Sequence, residues 1–179
     1  SLPGRSMPMD AAELLSLAMN RAPADLAAVS AAEGDQALFY AAPNGAMAAY
    51  LLGDFMQAHE LAEQCLALAE QFPDNWNYGN AIHHAHTVQG LLALNEGSIQ
   101  QATSSLLAAG ATPGSPQLDS FGPSMFLALK LLQAGESSTV LTYFQLCREF
   151  WKMGGVWLDL WEEKVRAGGI PNFFWARYR

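Results

Sequence analysis

Residues 90–109, GLLALNEGSIQQATSSLLAA, limit the fold most tightly, because a small residue, a turn glycine, an alanine and a second small residue recur at the spacing of a helix hairpin. Gly90 offers no side chain to hold a partner helix away. Gly97 ends the first helix, and Ser98 caps the second with Gln101 three residues on, the spacing of a capping box. Such a unit specifies architecture and carries no chemistry of its own.

Helix signals continue on both sides with almost no β-pattern between them. Asp10 caps a first helix, with Glu13 three residues later, that runs through AAELLSLAMNRA to a break at Pro23. A second run, ADLAAVSAAEG, ends at Gly34, and Pro43-Asn44-Gly45 interrupts a third between residues 37 and 50. Asp54 caps the next helix with Gln57 as partner. Leu61, Cys65, Leu68 and Phe72 mark its buried face, and Pro73 stops it. Helices at 80–95 and 98–109 follow, then the longest loop, 111–124, stiffened by its prolines. MFLALKLLQA and STVLTYFQLCREFW flank Gly135, and a last helix spans 155–167.

Half of the 179 residues are apolar, which suits a single domain over residues 10–179 with a substantial core. Residues 1–9, rich in Pro and Gly, read as a disordered or cloning-derived leader. Nine basic residues against seventeen acidic ones argue against nucleic acid and anionic membrane as partners, since those surfaces need clustered Lys and Arg; Arg177 and Arg179 are too few. No apolar run approaches a membrane span. Cys65 and Cys147 fall at apolar helical positions far apart, as buried reduced thiols do in a cytoplasmic protein.

The turn glycines Gly53, Gly97 and Gly135 lie 44 and 38 residues apart. Gly90, Gly97, Ala102 and Ala109, with Leu106 between the last two, resemble the repeat pattern of tetratricopeptide proteins. Ala46 and Ala58 around Gly53, and Ala128 and Val140 around Gly135, take the equivalent places. The resemblance, over residues 40–151, implies an all-α, right-handed array of antiparallel helix hairpins. GNAIHHAH, TPGSPQLDSFGPSM and YFQLCREFW also resemble segments of a group of uncharacterised bacterial helical-repeat proteins.

Candidate polar residues cluster on the helix at 80–95. Asn80, His84, Thr87 and Leu91 share one face; His83 and His86 lie with Gly90 on another. In tetratricopeptide-like packing the first face lines a concave groove, where Asn80 and His84 bind a peptide; otherwise the same two residues tie down the 111–124 loop. Tyr40, Tyr50, Met125 and Leu129 would complete the groove wall. His83 and His86 have the spacing of two metal ligands, but nothing nearby completes a tetrahedral shell, so neither metal nor other cofactor is expected. A grouping of His84, Asp119 and Ser120 needs the long loop to fold over the histidine helix, and Asp119 and Ser120 read more simply as helix caps. Glu60, Glu63, Glu70, Glu162 and Glu163 read as solvated helix faces.

Trp151, Trp157, Trp161, Phe173, Phe174, Trp175 and Tyr178 crowd the C-terminal region. The last helix is expected to cap the stack with the IPNFFW tail packed back across it, or else the aromatics form a homodimer interface. The leading expectation is a non-catalytic binding or scaffolding module for a protein or peptide. The alternative is an enzyme or small-molecule binder with a pocket between helix 80–95 and loop 111–124.

Overall fold

The computed structural model describes residues 10–179, and every regular element among them is helical. The expected leader at 1–9 lies outside the described residues. The helices are α1 (Ala11–Ala31), α2 (Asp35–Leu51), α3 (Phe55–Gln71), α4 (Tyr78–Asn95), α5 (Ile99–Gly110), α6 (Pro116–Phe121), α7 (Phe126–Gln133), α8 (Ser137–Phe150) and α9 (Gly155–Arg166). Among the described residues, no helix is long and apolar enough to cross a membrane.

Local chemistry sets most of the boundaries. The carboxylates of Asp10 and Asp54 accept from the N–H groups of Glu13 and Gln57, and the Ser98 hydroxyl accepts from Gln101 N–H at 3.4 Å. Gly97, at φ 81°, turns the chain between α4 and α5. Gly90 is as tightly placed as its sequence context implies: a Cβ there would overlap Leu127 of α7 and press on Ser105 of α5.

Three expectations need correction. Pro23 does not break the first helix; α1 runs through it and takes in most of the second expected run. Pro43 likewise lies inside a continuous α2. Proline removes the N–H that would bond the carbonyl four residues back, here that of Phe39. The Asn77 side chain supplies the missing donor, its Nδ2 lying 3.0 Å from the Phe39 oxygen. The 111–124 segment is not wholly loop either, because Ser115 accepts from Leu118 N–H and starts α6 with Pro116 in its first turn.

Each of the first four helices packs on the next, and α8 then packs on α5, with α7 set against α4, α5 and α8. Leu91, Leu106, Met125, Leu127, Leu129, Tyr143 and Phe144 fill the main core, while Phe39, Leu68, Ala69 and Ala81 form a smaller one. Helix α9 is clamped to α8 by Arg148, which reaches Asp159 at 2.8 Å and Glu162 at 3.0 Å. Glu162, expected on a solvated face, is therefore half-buried between Arg148 and Arg166, whose hydrogen bonds hold its carboxyl below the usual range.

The C-terminal aromatics form one cluster. Trp151 stacks on Trp161 at 5.9 Å, and the ring of Phe173 meets Trp161 edge-on at 5.1 Å. Phe173 and Phe174 adopt left-handed backbone conformations, φ 65° and 49°, at a cost of about 1–2 kcal/mol each. Burial of the whole Phe173 side chain offsets about 2–3 kcal/mol of this. Asn172 Oδ1 adds a hydrogen bond from Phe174 N–H at 2.8 Å.

Candidate functional site

The start of α4 is a chain of amides. Asn75 Oδ1 accepts from Asn77 N–H, and its Nδ2 donates to the Tyr40 hydroxyl at 2.9 Å. Asn77 spends its Nδ2 on Phe39 and its Oδ1 on Asn80 Nδ2, 3.1 Å away. Behind them Gly79 meets the backbone of Gly114 so closely that a Cβ would overlap it, and Thr112 Oγ1 donates to the Gly79 carbonyl at 2.6 Å.

One turn on, His83 is wholly buried and satisfied at both ring nitrogens. Ser124 N–H donates to Nε2 at 2.9 Å, so the ring proton belongs on Nδ1, 3.0 Å from the Ala109 carbonyl. Burial holds its pKa down at about 4, although the Ala109 hydrogen bond works the other way. His84 differs from its neighbour. It is 4 % exposed, burial followed by the nearness of His83 and Arg179 holds its pKa well below the ordinary value, and its Nδ1 has no hydrogen-bond partner. Gln117 on α6 has a buried, unpartnered Oε1 as well.

Both side chains line one cavity of about 450 Å³. Its floor and walls come from Ala18, Arg21, Ala22 and Asp25 on α1, Tyr40, Asn44, Met47, Ala48 and Leu51 on α2, and Trp76, Asn77, Asn80 and His84. Gln117 and Phe121 on α6 and Trp175 and Arg179 on the tail close it. The tail is held there by four bonds: Trp175 Nε1 to the Phe121 carbonyl at 2.7 Å, Met125 N–H to the Ala176 carbonyl at 2.8 Å, Arg179 Nη1 to the Gly122 carbonyl, and Ser124 Oγ to the Arg179 carbonyl. Tyr40 stacks on Trp76 at 4.9 Å along one wall. Burial, then the charge of Arg21, brings the Arg179 guanidinium down to about 10. Burial also raises the Asp25 carboxyl, against the pull of Arg21.

The residues proposed for an open groove separate in the structure. Asn80 and His84 border the cavity, and Tyr40 joins them. Thr87, Leu91, Met125 and Leu129 do not line it: all four are buried, and the Thr87 hydroxyl is spent on the His83 carbonyl. Helix α7 packs against α4 where the groove was expected. Tyr50 sits away from the cavity, donating to Asn95 at 3.3 Å and meeting Phe126 edge-on. Chain 111–124 does fold beside the histidine helix, but it presents Gln117 and Phe121, whereas Asp119 and Ser120 are exposed.

The sequence singled out neither Arg21, Asp25 nor Trp76; it placed Gln117 only within the 111–124 loop of the alternative pocket and Trp175 only among the capping or interface aromatics, and it set Arg179 aside. Gln117 lies in the quoted TPGSPQLDSFGPSM segment and Trp175 in the IPNFFW tail, whereas the others belong to no quoted motif. A residue pattern could have flagged only Arg21 and Asp25, four apart on α1 and 3.7 Å from each other. Among the described residues, no group of three or more His, Cys, Asp or Glu side chains is arranged to hold a metal ion. A second, more open depression between His59, Gln89, Glu96 and Ser105 has no buried unpartnered group.

Comparison with protein families, curated proteins and solved structures returned no match. The tetratricopeptide and bacterial-group resemblances therefore stand on the quoted motifs alone.

Proposed function

We propose that this chain is a small-molecule binder that takes its ligand into the cavity between α1, α2, α4, α6 and the tail, without catalysing a reaction on it. One observation carries the reading. His84 Nδ1 and Gln117 Oε1, on elements brought together only by the fold, are the unpartnered buried side-chain atoms among the described residues, and both residues line this cavity. Buried polar atoms left unpaired each cost about 1–3 kcal/mol, a cost that a bound ligand would remove.

A volume of about 450 Å³ falls in the range of pockets for drug-sized ligands. Binding alone is favoured over catalysis because His84 Nδ1 lacks the carboxylate partner that orients an imidazole base. Peptide recognition in a concave groove, the leading expectation from sequence, loses ground because four of its wall residues are core residues. The right-handed tetratricopeptide-like array remains our reading of the helix order, and buried Cys65 and Cys147 fit a reducing, cytoplasmic setting.

The test is a thermal-shift screen of metabolites against the wild type and an Asn44→Trp variant, Asn44 being an exposed residue at the cavity rim. A ligand that raises the wild-type melting temperature and leaves the variant unmoved supports the reading. Shifts equal in both proteins, or none in either, defeat it.

A further inference from the structure

The two unpaired buried atoms set what a ligand of this cavity must offer. Gln117 Oε1 is a carbonyl oxygen and can only accept, so it needs an N–H or O–H from the ligand. His84 Nδ1 accepts or donates according to the tautomer, and burial above all keeps the imidazole uncharged. Gln117 sits half-buried on the short helix α6, where the broad torsion next to its amide lets that group turn toward an occupant. The cavity also keeps aromatic surface bare. Tyr40 and Trp76 stack at 4.9 Å, yet Trp76 remains 49 % exposed, and Trp175 adds a third ring at the tail.

We propose that the ligand is an uncharged nucleobase-type ring, free or as its nucleoside: a flat nitrogen heterocycle whose edge donates an N–H to Gln117 Oε1 and accepts from His84 Nδ1–H, while its face lies against Trp76. This rests on the small-molecule reading above and specifies its chemistry. The unpaired atoms select the edge. A carboxylate or phosphate brings acceptors alone and leaves Gln117 unpaired, and a hydrocarbon ring leaves both residues unpaired. An amino group beside a ring nitrogen, or a ring N–H beside a carbonyl, serves both, and side-chain amides pair with the amino edge of adenine in this way. The bare rings select the body, since every base has a π-face that stacks on an aromatic side chain. A free base or nucleoside is favoured over a strand because the chain's net charge of -8 repels a polyanion.

The test titrates the whole chain, by two-dimensional amide NMR, with adenosine and with purine riboside, which lacks the amino group, and with uridine and its ring-N-methylated form, which lacks the N–H. Benzoate serves as an anionic ring and a short single-stranded DNA as the polymer. The variants are Gln117→Leu, Trp76→Ala and Asn44→Trp, their folds checked by the dispersion of the same spectra. The expected result is that at least one of the two nucleosides perturbs cavity amides and binds about tenfold or more tightly than its donor-less partner. Gln117→Leu should erase that margin, and Trp76→Ala should weaken binding by about tenfold. Donor-less partners binding as well, or a margin that survives Gln117→Leu, would overturn the edge assignment, and unchanged affinity in Trp76→Ala would overturn the stacking. Benzoate binding more tightly than either nucleoside, and lost in Asn44→Trp, would overturn the ligand class while leaving the cavity reading intact. DNA binding more tightly than the nucleosides would overturn the free ligand. If neither nucleoside perturbs the cavity, or Asn44→Trp binds them unchanged, the nucleobase assignment falls, and the metabolite screen above decides the cavity reading separately. Should Gln117→Leu unfold, Gln117→Met removes the same amide, and an unchanged margin there overturns the pairing.

Discussion

At the scale of single residues, His83 and His84 are adjacent imidazoles with opposite assignments. His83 is a structural tie: it joins the Ala109 carbonyl to the Ser124 N–H, and Tyr143 donates to the Ser124 carbonyl at 2.7 Å. Replacing it (His83→Ala) leaves two buried backbone groups unpaired and a void. The expected loss is about 3 kcal/mol of stability, read by urea denaturation. Its titration carries a sign. The folded pKa of about 4 lies below the 6.5 of a free imidazole, so between those values the unfolded chain binds the extra proton. Stability is therefore full above pH 6.5 and falls as the pH drops toward 4, by about 3 kcal/mol from His83 alone. Urea midpoints measured across that window check it, and a His83→Gln variant should show a shallower decline.

At the scale of elements, the packing of α2 against α4 rests on an exchange of hydrogen-bond partners. Asn77→Ala strands the Phe39 carbonyl and should cost about 1–3 kcal/mol. Adding Pro43→Ala returns a backbone N–H to that carbonyl, so the double variant should recover part of the loss, a non-additivity that a thermodynamic cycle measures. Gly79→Ala should be worse than its helix propensity implies, costing about 2 kcal/mol or more in thermal unfolding, because the added methyl meets the Gly114 backbone. These two sites also mark where sequence reading fell short. Helices α3 and α5 were legible because Asp54 and Ser98 cap them, and α4 and α9 because turn glycines follow their last turns; these are local signals, written close to each boundary. Pro43 was misread because its compensation comes from Asn77, a residue that only the folded chain places beside it. The same reason splits the site: Asn80 and His84 were found on a helix face, while Gln117, Trp175 and Arg179 join them through contacts that no periodicity encodes.

At the scale of the whole molecule, the C-terminal segment is a structural wall of the cavity rather than an appendage. Phe173→Ala should cost about 3–5 kcal/mol by chemical denaturation, because its ring is enclosed by Phe144 and Trp161. The same variant should loosen Trp175 and Arg179 and weaken any cavity ligand. The bonds of Ser124 to His83 and to Arg179 span 41 and 55 residues, whereas helices α1 to α5 mostly engage their sequence neighbours. Contacts of short reach close quickly, and those of long reach wait on loop closure. On a ribosome, the first five helices can therefore pair as they emerge, in order, while the cavity still lacks the side that Trp175 and Arg179 supply. Trp175 and Arg179 close the remaining side through their bonds to Phe121 and Gly122, so the cavity wall is complete only after contacts of the longest reach have formed.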